Sequence, residues 1–594
     1  MARKAFLLGN EAIARGLLEN GVKVVAGYPG TPSSEIIEAL ARDAKKYNIH
    51  VEWSVNEKAA LEVAIGAAWS GVRSAAVMKH VGLNVASDPF LTLAYTGAKG
   101  LVLIVCDDPN CHSSQNEQDS RRYAYFAKIP CLDPASPMEA KEMVSYAFNL
   151  SEKFDIPVML RPTTRVSHAK SDIQLGEVMQ KEGKAEFKKA PERRVMLPAH
   201  ARPLLKELNK KQDEIKIELE KSPWNSLLIN KDAKLGVIAS GISSMYAKEA
   251  IAKLQARVSF LKIGTYPVPE HMIRKLLRNV EAILVIEELE PVVEEQIRIL
   301  LDKNIRIMGK TSKHIPREGE LTLDIVENAI ARATGKRVRI IEIEQQPLPP
   351  RPPVMCAGCP HRAIFYAIRE VFGRNSIFPS DIGCYTLGVQ LGTVDTTLCM
   401  GSSTSLAAGI YFAGEQKPIC ATIGDSTFLH SGITGLMNAV YNKAKYTLVI
   451  LDNLTTGMTG HQPHPGIGVT ATGDITTRIS IEAITRACGV EFVEIIDPYD
   501  INNAKQVLTR ARDSDGVRVV ISRQACVIIA RRMGIKRNRY EVSEACIGCR
   551  KCIIYGCPAI EFRGGQAYIN DMCNGCGVCS QLCPASAIKA RVGE

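Results

Sequence analysis

Short apolar runs alternate with longer amphipathic stretches over the first part of the chain. The runs VKVVAGYP, SAAVMKH, GLVLIVCDD and DIPVMLRP have the length and composition of buried strands. Stretches such as NEKAALEVAIGAAWSG and MEAKEMVSYAFNLSEKF, which lie between them, have the period of an amphipathic helix. This alternation predicts a parallel sheet covered by helices, and we assign it to a first domain at residues 1–176.

Charged residues then replace the apolar runs. Residues 177–233, which include LLKELNKKQDEIKIELEK, are predicted to form an exposed connector with one solvated helix. A second α/β domain is predicted at 234–344 from the strands KLGVIASG, ARVSFLKIG and AILVIEELEP. Gly241 opens a strand-to-helix turn there, but a lone glycine turn favours a structural role over a nucleotide site.

A proline-rich stretch, QQPLPPRPP at 345–353, predicts an extended spacer. A third α/β domain follows at 354–530, with strands at PICATIGD, YTLVILDN and VRVVISRQ. A cysteine-rich segment at 541–594 ends the chain. The predicted class is therefore multidomain α/β, with three parallel-sheet domains and a small α+β domain.

Length and composition agree with several globular domains. A chain of 594 residues exceeds the size of a single hydrophobic core. With 46% hydrophobic and 23% charged residues, it has no apolar run near the roughly 20 residues that span a bilayer. The first residues lack the apolar region of a signal peptide. We therefore expect a cytoplasmic protein without a membrane partner.

The net charge is +11, but the basic residues are dispersed and accompany no nucleic-acid-binding motif, so we expect no nucleic acid partner. A local excess surrounds the first cysteine run. It is either a solvated connector or a docking patch for a small acidic protein. Its basic residues are Arg531, Arg532, Lys536, Arg537, Arg539, Arg550 and Lys551.

Eight of the 18 cysteines form two runs near the end of the chain, each closed by Cys-Pro. The second run has the C-x2-C-x2-C-x3-C-P spacing of bacterial ferredoxins, and the first has one more residue before its last cysteine. Thiolates in this pattern favour iron–sulfur clusters over disulfides or a zinc ribbon. In such tandem runs the last cysteine ligates the other run's cluster. The predicted [4Fe-4S] ligand sets are Cys546, Cys549, Cys552 and Cys583, and Cys573, Cys576, Cys579 and Cys557.

Two polar positions follow neighbouring strands of the third domain. Asp425 comes after the strand ending at Gly424, and Asn453 comes after the next strand. Because the carboxyl ends of parallel strands meet at one edge of a sheet, these side chains are expected to converge. Their oxygen atoms suit a Mg²⁺ ion that holds a diphosphate.

This segment resembles the thiamine diphosphate motif, Gly-Asp-Gly followed about 30 residues later by Asn. The resemblance implies that thiamine diphosphate is bound at Gly424, Asp425 and Ser426, with Mg²⁺ held by the side chains of Asp425 and Asn453 and the carbonyl of Thr455. Ser426 stands where glycine is usual. Without the resemblance, the segment is also compatible with an ordinary strand-turn-helix.

The stretches VVAGYPGTPSSEIIEAL and VNEKAALEVAIGAAWSG are similar to the pyrimidine-binding domain of 2-oxoacid:ferredoxin oxidoreductases. The similarity implies that Glu57 is the catalytic glutamate that forms a hydrogen bond with the aminopyrimidine of the cofactor. It also implies that Thr31 contacts the substrate. A glutamate on an amphipathic helix is otherwise a solvated surface residue.

A third set of cysteines lies in the third domain: Cys356, Cys359, Cys384 and Cys526. Related oxidoreductases carry cysteines in similar surroundings as ligands of a cluster beside the cofactor, which implies a possible third [4Fe-4S] cluster. Metal-free buried thiols are the alternative. His361 and His461 are expected to pack or to lie near phosphate. The cysteines without ligand spacing are expected to be structural, namely Cys106, Cys111, Cys131, Cys399, Cys420 and Cys488.

The order of these parts resembles the alpha subunit of the arylpyruvate (indolepyruvate) branch of the 2-oxoacid:ferredoxin oxidoreductases. In this comparison residues 234–344 are transketolase C-terminal-like, and the four-residue gap between Cys552 and Cys557 also matches the branch. The resemblance implies oxidative decarboxylation of aryl 2-oxoacids from aromatic amino acids to aryl-acetyl-CoA and CO₂. Coenzyme A is then a co-substrate.

The same resemblance implies two protein partners, an external ferredoxin that accepts the electrons and a smaller beta subunit, in a heterodimer or a larger assembly. Two alternatives stay open from sequence. The protein could act on another 2-oxoacid, such as pyruvate or a branched oxoacid, or it could be a non-catalytic iron–sulfur electron-transfer subunit.

Overall fold

The structure is a computed structural model that describes residues 3–179, 185–301, 305–338, 348–349 and 351–591. The chain divides into two compact units, Met1–Glu344 and Gln345–Glu594. In the described residues, parallel-rich sheets of seven, five and four strands are accompanied by small antiparallel pairs. The predicted α/β class is confirmed.

The largest sheet of the first unit has seven strands. Six of them are parallel, and a short strand from later in the chain, Thr265–Tyr266, joins its edge antiparallel to Cys131–Leu132. The central strands are fully buried, because helices cover both faces of a parallel sheet. In spatial order the strands are Thr265–Tyr266, Cys131–Leu132, Val158–Leu160, Leu101–Cys106, Ser74–Lys79, Val24–Gly27 and His50–Trp53.

The second sheet of this unit has five strands, of which the last is antiparallel to its neighbour. That strand, Ser226–Leu228, lies in the segment expected to be a connector. In spatial order the strands are Arg306–Met308, Ala282–Ile286, Leu235–Ser240, Ser259–Ile263 and Ser226–Leu228. A separate antiparallel pair joins Lys4–Leu8 to Lys170–Gln174.

Helices of the first unit follow the strands along the chain. In the expected connector the long helix Pro198–Leu219 buries Leu204, Leu208, Ile215 and Leu219, so one of its faces packs against the unit. A short 3₁₀ turn covers Pro109–Cys111. The other helices are Gly9–Glu19, Ser34–Tyr47, Glu57–Trp69, His80–Val85, Ser87–Thr96, Ser120–Ala127, Pro137–Phe154, Thr164–His168, Pro191–Arg194, Ser243–Lys253, Glu270–Arg278, Val292–Ile299 and Leu323–Thr334.

A buried ionic cluster joins the two sheets of the first unit. The Arg121 guanidinium donates to the Asp119 carboxylate at 2.6 Å and to Glu287 at 3.0 Å, and both acids are buried with it. Because a buried guanidinium needs several acceptors, these bonds fix the loop that follows Ala282–Ile286 against the first sheet.

The second unit contains a four-stranded parallel sheet. Its order is Cys420–Gly424, Tyr446–Asp452, Val517–Arg523 and Phe492–Ile496. Helical turns continue directly from the first strand, with a π-helical segment, Phe428–Gly432, between α-helical ones. The α-helices up to residue 532 are Pro360–Phe372, Ser402–Phe412, Asp425–Thr427, Ile433–Tyr441, Ile481–Ala487, Ile501–Asp513 and Val527–Arg532, and a 3₁₀ helix covers Cys384–Leu391.

The cysteine-rich segment is a small α+β structure. Strand Tyr540–Val542 pairs antiparallel with Ile588–Ala590, and Ile560–Arg563 pairs with Gln566–Ile569 in a hairpin. Two short helices, Lys551–Ile554 and Val578–Gln581, each contain the third cysteine of one run. Cysteines and aliphatic side chains share its small core.

The proline-rich spacer and the presence of membrane-spanning helices can be described only for part of the chain. Within the proline-rich spacer, residues 345–347 and 350 lie outside the described residues, and the described ones have no helix or strand. Among the residues that the structure describes, no helix combines the length and apolar character needed to cross a membrane.

Candidate active site and electron-transfer centres

The predicted residues of the first unit lie after neighbouring parallel strands. Thr31 follows Val24–Gly27, and Glu57 begins the helix after His50–Trp53. The Asn56 side chain caps that helix by accepting from the Ala59 amide at 2.9 Å, which fixes the first turn. Glu57 is 5% exposed, so it is not the solvated residue that an isolated helix pattern would suggest.

The loop that carries Thr31 is held by bonds within the unit. Ser33 Oγ donates to the Gly30 carbonyl at 2.7 Å, and the Ser113 hydroxyl donates to the Thr31 carbonyl at 3.0 Å. Ser113 is itself positioned by Asp108, whose carboxylate accepts from its amide at 2.9 Å. The Thr31 loop and the 108–114 loop are therefore connected.

Lys79 and His80 were missed by the sequence analysis. Lys79 ends strand Ser74–Lys79, and its ammonium donates to the Ser113 carbonyl at 3.0 Å. Burial, partly offset by Asp108 and Glu57, lowers the pKa of Lys79 to about 8. His80 is buried, and its Nε2 lies 3.1 Å from the Asn116 carbonyl. Their position after a strand that neighbours the Thr31 strand was the available signal.

Asp425 and Asn453 converge at the edge of the four-stranded sheet. The Asp425 carboxylate accepts from the Ser426 amide at 2.8 Å and from the Asn453 amide at 3.1 Å. Both residues are buried, and His464 Nε2 lies 3.1 Å from the carboxylate. Burial raises the pKa of Asp425, but the interaction with His464 and the hydrogen bond from the Ser426 amide outweigh it and hold the pKa below its ordinary value. Buried carboxylate and amide oxygens fit Mg²⁺.

The remaining motif positions surround this pair. Thr455 is buried, and its amide donates to the Asn453 side-chain oxygen at 3.2 Å. A Cβ on Gly424 would lie 2.6 Å from the Tyr385 ring, so glycine permits that close approach. Ser426 is in a helical turn and its hydroxyl accepts from Thr456 at 3.0 Å. A residue in a helical conformation carries a side chain without strain, so serine is compatible with this position of the motif.

His361 packs beside the same pair. It is buried, and its Nε2 lies 3.0 Å from the Asn453 amide nitrogen. Burial lowers the pKa of His361 to about 4, so the ring is neutral and accepts this bond. The bond orients the Asn453 oxygen away from the histidine. His464, by contrast, was missed because HQPHPG shows no strand or helix pattern.

The third set of cysteines is brought together in the second unit. Burial, followed by the nearby thiols of Cys526 and Cys356, raises the pKa of Cys384 to about 11. Burial raises the pKa of Cys359 to about 12, and Cys384 and Cys356 contribute. The four thiols are thus near enough to influence one another electrostatically, and such a set suits a metal cluster because coordination removes the protons.

A hydrogen bond connects the third set of cysteines directly to the end of the strand that precedes Asn453. The Cys526 amide donates to the Asn453 carbonyl at 3.0 Å. On the other side, the Cys384 sulfur lies close to Gly457, which is in the loop after Asn453. The cysteines therefore lie next to the candidate magnesium site within the second unit.

Each predicted ferredoxin-type quartet lines its own cavity. Cys546, Cys549, Cys552 and Cys583 line one cavity, and Cys573, Cys576, Cys579 and Cys557 line the other. The crossed positions of Cys557 and Cys583 are those expected from the tandem spacing. The described residues contain no group of His, Cys, Asp or Glu arranged for a single metal ion. Four sulfurs around a cavity are the donor set of a [4Fe-4S] cluster.

Gly358 connects the third cysteine set to the second quartet. It lies between Cys356 and Cys359 and also lines the cavity of the quartet that contains Cys576. A Cβ on Gly358 would lie 3.0 Å from the Asn574 Cβ and 3.7 Å from the Cys576 Cβ. The Asn574 side-chain Nδ2 donates to the Ala357 carbonyl at 2.7 Å, so the two loops are held in contact.

The quartet that contains Cys549 is the one nearer to the surface. Of the eight cysteines in the two quartets, all of which are described, Cys549 is the exposed one. Around it lie exposed Ile547, Arg550 and Lys551. Residues 531–591 contain ten basic and four acidic residues, so this part of the chain is positively charged.

The other cysteines lie apart from these sets. Three of them are buried in strands, and the others are in loops or at a helix end. The buried ones are Cys106, Cys131 and Cys420, and the partly or fully exposed ones are Cys111, Cys399 and Cys488.

Three family models match the chain. The thiamine-binding model of pyruvate flavodoxin/ferredoxin oxidoreductases covers residues 15–225, the C-terminal TPP-binding domain of thiamine pyrophosphate enzymes covers 381–522, and a 4Fe-4S binding domain covers 567–589. The matches support thiamine diphosphate and iron–sulfur cofactors in the corresponding segments.

Curated relatives match over nearly the whole chain. Indolepyruvate oxidoreductase subunit IorA of Archaeoglobus fulgidus is 46% identical over 99% of this chain and 97% of its own. The Thermococcus kodakarensis protein of the same name is 47% identical, again over 99% and 97%. The 2-oxoglutarate synthase subunit KorA of Methanothermobacter thermautotrophicus is 30% identical over 30% of this chain and 48% of its own. This chain therefore belongs to the family of indolepyruvate oxidoreductase subunit IorA, which consists of thiamine diphosphate-dependent 2-oxoacid:ferredoxin oxidoreductases.

Proposed function

We propose that this protein is the catalytic alpha subunit of an indolepyruvate (arylpyruvate):ferredoxin oxidoreductase. It decarboxylates aryl 2-oxoacids oxidatively, transfers the acyl group to coenzyme A and passes the electrons to an external ferredoxin. It works in the cytoplasm with a smaller beta subunit. Full-length relatives named indolepyruvate oxidoreductase subunit support the substrate class and the need for a partner subunit.

Thiamine diphosphate supplies the electron sink that decarboxylation of a 2-oxoacid requires. Glu57 is the group that would hydrogen-bond the aminopyrimidine and exchange a proton with it, a task suited to a buried carboxyl. Asp425, Asn453 and the Thr455 carbonyl hold Mg²⁺, while Gly424 and Ser426 adjoin the diphosphate. The buried oxygen donors of Asp425 and Asn453 at one sheet edge support this assignment.

The proposed domains follow from these roles. Residues 1–176 bind the pyrimidine, 177–233 connect, and 234–344 form the transketolase C-terminal-like domain. Residues 354–530 bind the diphosphate and Mg²⁺, and 541–594 carry two [4Fe-4S] clusters.

The single observation that carries the proposal is the series of contacts from the magnesium site to the cysteine-rich segment. The Asn453 carbonyl accepts from the Cys526 amide, and Gly358 in the same cysteine set lines the cavity of the Cys557, Cys573, Cys576 and Cys579 quartet. A third [4Fe-4S] cluster on Cys356, Cys359, Cys384 and Cys526 completes the path. A decarboxylase that releases an aldehyde has no use for such a path.

Electrons leave from the last quartet in this series. The exposed Cys549 and the adjoining basic residues support docking of a ferredoxin there, because a small acidic carrier is attracted to a basic surface and needs close approach to the cluster. Of the two interpretations left open by the sequence, a solvated connector or a docking patch, the exposed Cys549 and the basic residues around it support the docking patch.

The test is anaerobic co-purification with the smaller subunit, followed by measurement of iron, thiamine diphosphate and 2-oxoacid oxidation. Three clusters of four irons correspond to about twelve irons per chain, and two correspond to about eight. Substitution Cys384→Ser should lower the iron content by about four atoms and abolish viologen reduction. Cys488→Ser, which changes a cysteine outside the three sets, should leave both unchanged.

A panel of 2-oxoacids with and without coenzyme A tests the substrate class. Indolepyruvate and phenylpyruvate should be oxidised with higher kcat/KM than pyruvate or branched 2-oxoacids. Preferential oxidation of pyruvate would replace the aryl assignment. Absence of bound thiamine diphosphate together with intact clusters would instead identify an electron-transfer subunit.

A further inference from the structure

A buried cation beside the Thr31 loop has no role in the proposed function. Lys79 is 8% exposed, and its side chain lies against Gly30, where a Cβ would be 3.0 Å from the lysine Cδ. Its ammonium donates to the Ser113 carbonyl, and Ser113 donates to the Thr31 carbonyl. One neutral residue therefore connects the ammonium to the threonine assigned to the substrate.

The same turn of chain also contacts Glu57. Gly82, which lies three residues after Lys79 in helix His80–Val85, packs against the Glu57 side chain, since a Cβ there would be 2.6 Å from a carboxylate oxygen. Lys79, Thr31 and Glu57 thus belong to one connected set of contacts in the first unit. Asp108 and Glu57 are near enough to the Lys79 ammonium to stabilise its charge, and burial outweighs their effect on its pKa.

A buried lysine is costly, and such residues are retained where a charge is needed. A lysine ammonium has three N–H donors, and the bond to Ser113 uses one. The neighbouring His80 adds a second polar group, because its buried Nδ1 has no hydrogen-bond partner among the described residues. The region therefore offers a positive charge and a polar acceptor beside Thr31.

We propose that the Lys79 ammonium binds the carboxylate of the 2-oxoacid, with Thr31 beside it. This inference rests on the proposed function. It assigns to the first unit a carboxylate subsite that selects 2-oxoacids over neutral carbonyl compounds. Lys79 contacts the substrate in this scheme, whereas Asp108 positions Ser113 and is not part of the subsite.

The test uses two unreactive ligands that differ in charge, 2-hydroxy-3-phenylpropanoate and its amide. Calorimetric titration into the complex with the smaller subunit, loaded with thiamine diphosphate and Mg²⁺, gives both dissociation constants. Lys79→Gln should weaken binding of the carboxylate by about 10-fold or more and leave the amide unchanged, because a bond to a charged group is lost. Lys79→Arg should retain most of the preference.

The matched control is Lys141→Gln, which removes a buried lysine paired with Glu19 at 2.6 Å. It should leave the carboxylate-to-amide ratio unchanged. An unchanged ratio in Lys79→Gln, or equal weakening of both ligands, would overturn the subsite while wild-type turnover still supports the proposed function. A wild-type protein that oxidises no 2-oxoacid, yet loses carboxylate binding in Lys79→Gln, would overturn the function and keep the subsite.

Discussion

Glu57 is the residue on which the catalytic assignment depends most directly. Replacement by glutamine keeps its size and removes its ability to exchange a proton with the cofactor. We expect kcat to fall by about 10²- to 10⁴-fold, the usual contribution of a general acid–base group. Iron content and the cluster spectra should stay as in the wild type, because the cysteine sets lie in the other unit.

The matched control for Glu57 is Glu62→Gln on the same helix. Glu62 is half exposed and pairs with Lys58, so its loss should change kcat by less than about 2-fold. Wild-type turnover in Glu57→Gln would remove the catalytic role.

The lowered pKa of Lys79 leads to a prediction about the stability of the protein, which can be tested without measuring turnover. Its folded pKa of about 8 lies below the ordinary value of 10.5, so the unfolded state binds more protons between these values. Stability should therefore rise with pH over this window, and the buried charge costs about 3 kcal/mol at pH 7. Lys79→Met should raise the unfolding free energy at pH 7, and the difference from wild type should shrink between pH 8 and 10.5.

Tryptophan fluorescence during urea unfolding measures this effect, because Trp53, Trp69 and Trp224 all lie in the first unit. Lys141→Met removes an ion-paired lysine and should destabilise the protein instead. A stability gain in Lys79→Met that does not vary with pH would show that the cost is one of packing and not of charge.

Among the candidate functional residues, those that belong to motifs with a fixed spacing could be predicted from the sequence. Those outside such motifs were missed. The eight ferredoxin-type cysteines were assigned to quartets from spacing alone, and they line two cavities in those groups. Lys79 and His464 were missed because a single lysine or histidine carries no periodic signal. Their environment depends on loops that the chain brings together from distant positions.

Gly358 is the point at which two elements meet. Its φ of +68° lies in the left-handed region, and a Cβ would press on Asn574. Gly358→Ala should therefore displace the loop between Cys356 and Cys359 from the neighbouring quartet. We expect slower ferredoxin-linked turnover and an altered cluster spectrum, with the thiamine diphosphate content unchanged.

Gly373→Ala is the control, since that glycine has a similar φ of +72° and meets no atom within 4 Å. Its ψ of 177° places it in a region that is almost exclusive to glycine, so the substitution should cost about 1–3 kcal/mol in backbone strain and leave the clusters unaffected. Equal effects of the two substitutions would show that strain alone accounts for the result.

Elements were predictable where their signal is local. The central strands, such as Leu101–Cys106, are continuous apolar runs because both faces of the sheet are covered. His50–Trp53 was missed because it is a short edge strand that alternates polar and apolar residues. The joining of Thr265–Tyr266 to the first sheet depends on pairing between residues far apart in sequence, which no local pattern carries.

The whole molecule is basic, and much of its charge surrounds the proposed electron exit. Replacing both Arg550 and Lys551 by glutamate reverses the charge beside the exposed Cys549. Ferredoxin reduction should slow by about 10-fold or more at low salt and depend less on ionic strength. Reduction of a small viologen should be unchanged, because it needs no protein docking.

The control replaces two exposed basic residues of the first unit, Lys206 and Lys210, by glutamate. It changes the net charge equally and should leave ferredoxin reduction near the wild-type rate. Equal slowing of both double variants would point to long-range attraction and not to a docking surface.

The bonds around Gly358 have a consequence for protein engineering. Tyr499 donates to the Gly358 carbonyl, and the Gln581 side chain donates to the Tyr499 carbonyl at 2.7 Å, which ties the cysteine-rich segment to the body of the second unit. The segment is therefore fitted to its host and is not a portable module. A ferredoxin grafted in its place would need counterparts of Asn574 and Gln581, since matching the cysteine spacing alone would reproduce the clusters but not their alignment with the donor.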